Sequence, residues 1–184
     1  QPFSLRETEL YLQNKGLNLN RYQITELYMA MGGIPHYLKE IQKGESVAQS
    51  IDRICFAKGG TLYDEFEQLY PSLFENAESH MAVVRALAAK PSGLSRLEIG
   101  QSSGISNGGG LTKTLEELQH SGFVAEYLPF GRVKRDSLFR LSDEYSLFYL
   151  KFIETLKKEG AGIWQSFHSS PAFHAWSGYA FESI

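Results

Sequence analysis

Apolar residues recur at helical spacing through the first 75 positions, and glycines cut the pattern into short pieces. Leu5, Tyr11 and Leu12 predict a first helix. Ser4 can cap it, with Glu7 at the capping-box position, and Gly16 ends it. Asn20 caps a second helix carrying Tyr22, Ile24, Leu27, Tyr28 and Met31, which Gly32-Gly33 breaks. Pro35 opens a short helix through Ile41, since proline suits a first turn and not an interior. Ser46 caps a helix whose face is Val47, Ile51, Ile54 and Cys55. After Gly59-Gly60 a further helix holds Leu62, Phe66, Leu69 and Tyr70.

The pattern changes after Asn76. Met81, Val83, Val84, Leu87 and Ala88 predict a compact helix stopped by Pro91-Ser92-Gly93. Ser95 caps the next helix, with Glu98 three residues on. Residues 104–107 form a turn, and Ser106 or Asn107 can cap a third helix whose face is Leu111, Leu115 and Leu118. Residues 123–128 read as a strand, Phe130-Gly131-Arg132 as a turn and residues 137–141 as the returning strand. Helix, helix, turn, helix and a basic hairpin spell a winged helix-turn-helix over residues 76–141. The competing reading is an unrelated small α+β unit. The expected fold class is mainly α, a helical bundle over residues 1–75 followed by the winged helix with its small β-hairpin.

Residues 142–184 are rich in aromatics. Asp143 and its neighbours cap a helix with Tyr145, Leu147, Phe148, Tyr149, Phe152 and Ile153 on most of its faces. That distribution predicts burial against another domain. Trp164, Phe167, Phe173, Trp176, Tyr179 and Phe181 follow, too much aromatic surface to leave in water, and call for partner surface beyond this chain. Without an initiator Met, and stopping inside an apolar stretch at Ile184, both ends read as cuts in a longer polypeptide.

Composition changes this picture little. Apolar residues make up 42% and charged residues 21% of the 184 positions, an ordinary globular balance. A lone cysteine, Cys55, excludes an internal disulfide and fits a cytoplasmic setting. No apolar run approaches the roughly 20 residues that cross a bilayer, so no membrane partner is expected. Charge is more telling. The net charge of −3 hides a basic centre: residues 79–141 carry eight Lys/Arg against five Asp/Glu, while both flanks are acidic. That is a mild pointer to nucleic acid.

Candidate chemistry is sparse. Gly108-Gly109-Gly110 followed by Thr112-Lys113 has the wrong spacing for a phosphate-cradling P-loop. The five histidines are scattered, so no metal site is expected. Nothing resembles a nucleophile elbow, and no catalytic residue is assigned. The carboxylate pairs Glu116-Glu117 and Asp143-Glu144 read as solvated helix charges. Two places stand out. At Gly32-Gly33-Ile34-Pro35 one helix ends and another begins, which presents free amides beside a rigid proline or is simply an inter-helix turn. In the winged helix, Lys113 lies on the third helix and Arg132, Lys134 and Arg135 lie on the hairpin loop. These four are the candidate contacts to double-stranded DNA, and the loop is the better electrostatic candidate because Glu116 and Glu117 share the helix with Lys113.

Several segments together resemble one family, the archaeal-type ATPases of archaea and bacteria, relatives of the STAND P-loop NTPases. They are Arg21-Tyr22-Gln23-Ile24, Gly32-Gly33-Ile34-Pro35 with Tyr37-Leu38, and Gly108-Gly109-Gly110-Leu111-Thr112-Lys113 with Leu115-Glu116-Glu117-Leu118. Arg140-Leu141-Ser142-Asp143-Glu144-Tyr145 and Gly178-Tyr179-Ala180-Phe181-Glu182 extend the likeness. The resemblance implies a helical lid at 1–75, a winged helix at 76–141, and a segment at 142–184 leading into a restriction-nuclease-like region that Glu182 would open. It implies that Gly33 and Pro35 belong to a GxP motif whose proline packs on the adenine of ATP. It also implies that the P-loop core and nuclease-like domain of the same protein are partners. The function so implied is a regulatory and interaction fragment of an ATP-binding ATPase, with DNA binding through the hairpin loop. The alternative is a stand-alone winged-helix transcriptional regulator, in which the helical N-terminal region serves dimerisation or ligand binding.

Overall fold

Capping chemistry sets many of the helix starts. In the computed structural model, which describes residues 2–131, 133–156, 162–168 and 170–181, Ser4, Asn20, Ser46 and Ser95 each accept the N–H three residues on. Glu7, Gln23, Gln49 and Glu98 return the bond to the capping residue's own N–H. Along the chain run α1 (Leu5–Asn14), α2 (Arg21–Met31), α3 (Pro35–Leu38) and α4 (Val47–Ile51). A π-helical turn, Asp52–Phe56, extends α4, with the Ala57 N–H bonded to the Asp52 carbonyl at 2.9 Å. Then come α5 (Glu65–Leu73), α6 (Ala77–Ala88), β1 (Leu94–Ser95), α7 (Arg96–Ser103), α8 (Gly109–His120), β2 (Val124–Tyr127) and β3 (Leu138–Leu141). The chain continues through α9 (Glu144–Phe148), a second π-helical turn (Tyr149–Ile153), α10 (Glu154–Leu156), α11 (Ile163–Phe167) and α12 (Pro171–Phe181). The protein is thus mainly helical with one small antiparallel sheet.

Packing divides the chain into two units, residues 1–65 with 151–184, and residues 66–150. These cuts differ from the sequence segments 1–75, 76–141 and 142–184 because aromatic contacts draw both flanks into the central unit. Phe66 stacks on Tyr149 at 4.5 Å, and Tyr70 lies 5.0 Å from Phe123 and shares a 2.9 Å hydroxyl bond with Ser146.

In the central unit the sheet order is β1-β3-β2. Strand β1 goes beyond the expected two-stranded hairpin; its two residues pair with Phe139 and Leu138 and are too few to show a period. The β2–β3 register sets Val124 opposite Leu141 and Glu126 opposite Phe139. Val124, Phe139 and Leu141 are buried, as are Leu111, Leu115 and Leu118 of α8, Val83, Val84 and Leu87 of α6, and Ile99 of α7; α8 packs beside β2 and α6 beside β3. The expected side-chain cap on the third helix is absent. Gly108 is the capping residue, because the Asn107 carboxamide oxygen is taken by Arg96 Nε at 2.8 Å. The same guanidinium reaches the Gly108 carbonyl and the Thr112 hydroxyl at 2.9 and 2.7 Å.

The discontinuous unit closes around Trp164, which is fully buried. Phe56 stacks on it at 5.8 Å, and Phe152, Phe167, Phe173 and Trp176 surround it at 5.2–5.8 Å. The partner surface expected for Trp164 and Phe173 is therefore supplied by this chain itself, since the π-helical turn and the C-terminal helices face one another. Tyr145, Phe148 and Tyr149, expected to be buried, are so, and Tyr149 stacks on Phe66 of its own unit. Asp52, itself buried, accepts the backbone N–H groups of Trp164 at 2.7 Å and Gln165 at 3.0 Å. It caps α11 from 112 positions away, where the local capping residue, Gly162, has no side chain to offer. At the other end of α11, His168 Nε2 lies 3.1 Å from the buried Glu26 of α2. Burial raises the Glu26 carboxyl above its ordinary range, against the opposing pull of His168.

Asp52→Ala is expected to lower the unfolding free energy by about 3 kcal/mol, since two charge-assisted bonds to buried amides are lost. Urea denaturation followed by tryptophan emission measures it. A loss within experimental error of zero would show that α11 is held by apolar packing alone.

Candidate functional site

The turn at Gly32-Gly33-Ile34-Pro35 is shaped by contact with the start of the chain. The Phe3 N–H donates to the Gly33 carbonyl at 2.6 Å. A Cβ on Gly33 would sit 1.8 Å from the Phe3 carbonyl oxygen, so only glycine fits there. The Tyr28 hydroxyl donates to that same Phe3 carbonyl at 3.0 Å. Gly33 is buried, and Pro35, at the first position of α3, is half-buried. The far end of α3 is fixed by the Lys15 ammonium, which donates to the carbonyls of Leu38, Lys39 and Ile41. Proline 35 is thereby held on a helix clamped at both ends. Glycine 33 has a packing role of its own in this turn.

The four candidate DNA contacts belong to the central unit. Lys113 stands exposed on α8, 3.7 Å from Glu117 one turn on. Lys134 is exposed and opens a 3-10 turn, Lys134–Asp136, between β2 and β3. Arg132 lies outside the described residues, and of Arg135 only the backbone in that 3-10 turn is described. The outer face of α8 is mixed in sign, with Lys113, Glu116 and His120 all exposed. Its first residues, Gly108, Gly109 and Gly110, are exposed too, with open space where a Cβ would stand.

Two features here were not foreseen. Arg96 ties the start of α8 to the α7–α8 turn, and nothing in a spacing of 16 residues announces it. His80 bridges α6 and α8: Nδ1 bonds the Asn76 carbonyl and Nε2 the Glu117 carboxylate, both at 2.8 Å, while the ring stacks on Phe74 at 4.0 Å. With both nitrogens engaged, His80 braces the helices and is not free to ligate. Beside it lies an open cleft of about 420 Å³, walled by Phe74, Lys113, Thr114, Glu117, His120 and Ser121. Among the described residues no group of three His, Cys, Asp or Glu side chains could hold a metal ion. Cys55 is buried, and burial pushes its thiol up, away from nucleophilic use.

The carboxylate pairs part company. Glu116 is solvated as expected, and Glu117 is engaged by His80 and Lys113. Asp143 and Glu144 correct the expectation of solvated charges: both are partly buried at the start of α9. Asp143 accepts the Ser146 N–H at 2.7 Å, yet burial raises its carboxyl. Burial also pushes Glu144 up to about 7, with the Asp143 charge adding to the shift.

Comparison of the chain with protein-family models, curated proteins and solved structures finds no match. Glu144 gives a pH signature of this region. Its folded value lies above the ordinary 4.5, so the native state holds the extra proton between about 4.5 and about 7. Stability therefore falls as pH rises through that window and levels off above it. Glu144→Gln is expected to reduce that slope and to be more stable than the parent at pH about 8, with the gap closing toward the acid end. Urea titrations over a pH series measure it, and parallel curves for the two proteins would refute the shift.

Proposed function

We propose that this chain combines the helical lid and winged helix of an ATP-binding, archaeal-type ATPase, and that the winged helix docks on duplex DNA chiefly through its β2–β3 loop. The observation that carries the reading is the element order of the central unit. Helix α6, strand β1, helices α7 and α8 and the hairpin β2–β3 follow one another, with β3 central in the sheet. A tight α7–α8 turn with an outward-facing second helix is how helix-turn-helix modules meet DNA. The basic balance of residues 79–141 favours a polyanionic partner. The β2–β3 loop suits it better than α8, whose exposed face carries Glu116 beside Lys113. The lid reading is supported by the half-buried Pro35 ring at the clamped start of α3, a flat apolar surface able to lie on an adenine. The P-loop, Mg²⁺ ligands and hydrolytic water would come from other parts of such an ATPase.

Two measurements test this. Duplex affinity should be salt-sensitive, and replacing Arg132, Lys134 and Arg135 together by Ala should flatten the slope of log affinity against log salt by up to about three. Strong binding that this triple change leaves unaltered would overturn the loop assignment. In the full-length ATPase, Pro35→Ala should weaken ADP and ATP binding by about 1 kcal/mol, because a small apolar contact is lost, while melting stays unchanged. Calorimetric affinities equal to those of the parent would remove the adenine contact.

A further inference from the structure

The β2–β3 loop carries an apolar tip that phosphate binding alone does not explain. Phe130 is 107% exposed, more open than in an extended peptide, and Leu128 and Val133 beside it are 50% and 56% exposed. Further down the hairpin, Phe123 and Phe139 are buried at 7% and 8%, so the exposed large apolar side chains gather at the tip. The base of the loop is braced. The Tyr127 hydroxyl donates to the Ser92 carbonyl, and the Arg140 guanidinium lies over the Tyr127 ring at 5.7 Å. On the return side, the Ser137 N–H and hydroxyl both donate to the Lys134 carbonyl, at 3.1 and 2.7 Å. Pro129 stiffens the approach, and Gly131, with φ of 75°, turns the chain just past Phe130. One planar ring thus stands exposed at the turn, and three cations follow it in sequence at 132, 134 and 135.

A partner matching that chemistry has apolar planes stacked between rows of negative charge, which is duplex DNA. A planar ring fits a slot between base pairs, and the cations suit the phosphates on either side. Three apolar side chains make a small foothold for a lipid surface, and a slot one ring thick is what a base step offers. Resting on the duplex-binding reading above, we infer that Phe130 is an apolar wedge, entering from the minor groove and partly unstacking one base step while the exposed Lys134 meets a flanking phosphate. The step favoured is pyrimidine–purine, the one most readily opened.

The test uses short duplexes with 2-aminopurine beside a central TA step, whose emission rises when its stacking is lost. The parent protein should raise that emission. Phe130→Ala should abolish the rise and weaken binding about tenfold, leaving the salt slope unchanged, whereas Phe130→Leu, still an apolar wedge, should keep most of both. If Phe130→Ala binds and raises emission like the parent, the wedge is overturned, although the loop remains a duplex contact. If the parent binds duplex without a rise in emission, the wedge is again overturned. If no duplex binds at low salt, wedge and duplex reading fall together. Binding instead to phosphatidylserine vesicles, lost in Phe130→Ala, would reassign the tip to a membrane surface.

Discussion

A single buried carboxylate closes the larger of the two units. Asp52 is accommodated in the interior by the two amide hydrogens at the start of α11. The arrangement satisfies both sides at once: a helix start whose own capping residue is glycine, and an anion withdrawn from water. Once α11 is seated there, Trp164 fills the space beside Phe56, and His168 arrives against Glu26 at the opposite end of the helix. Helix α12 then brings Phe173 and Trp176 around the indole. The π-helical turn begins at Asp52 itself, where the helix leaves α geometry.

The turn at Gly33 and Pro35 separates two kinds of constraint that a short motif runs together. Gly33 answers to the Phe3 backbone, whose carbonyl leaves no room for a side chain. Pro35 answers to the helix it opens, where its missing N–H costs nothing and its ring stays half accessible. A glycine and a proline two positions apart can therefore be kept for different reasons, and only the proline is free to face a ligand.

Much of the secondary structure is legible in the sequence because it is local. Capping residues at Ser4, Asn20, Ser46 and Ser95 and the Leu111, Leu115 and Leu118 stripe announce their helices within a few positions. What resists reading is long-range. Strand β1 is two residues long and exists because β3 passes beside it. Arg96 displaces the expected cap from Asn107 by reaching back from another helix. Trp164 looks like part of an exposed interface until the distant Asp52 and Phe56 are placed against it. The candidate contact residues were legible as charges, Lys113 and Lys134 among them. The Phe130 tip was legible only as a turn, because exposure of a phenylalanine is a property of the fold and not of its neighbours in sequence.

The interleaved layout of the units also sets an order of events during synthesis. Residues 66–150 form a contiguous unit, so every strand and helix it needs has been synthesised before Trp164 is added. Residues 1–65 must wait, with Phe56 and the Asp52 carboxylate still lacking their partners, until residues 151–184 emerge. The central unit can thus complete its own core while Phe56 and Asp52 of the other unit still await their partners.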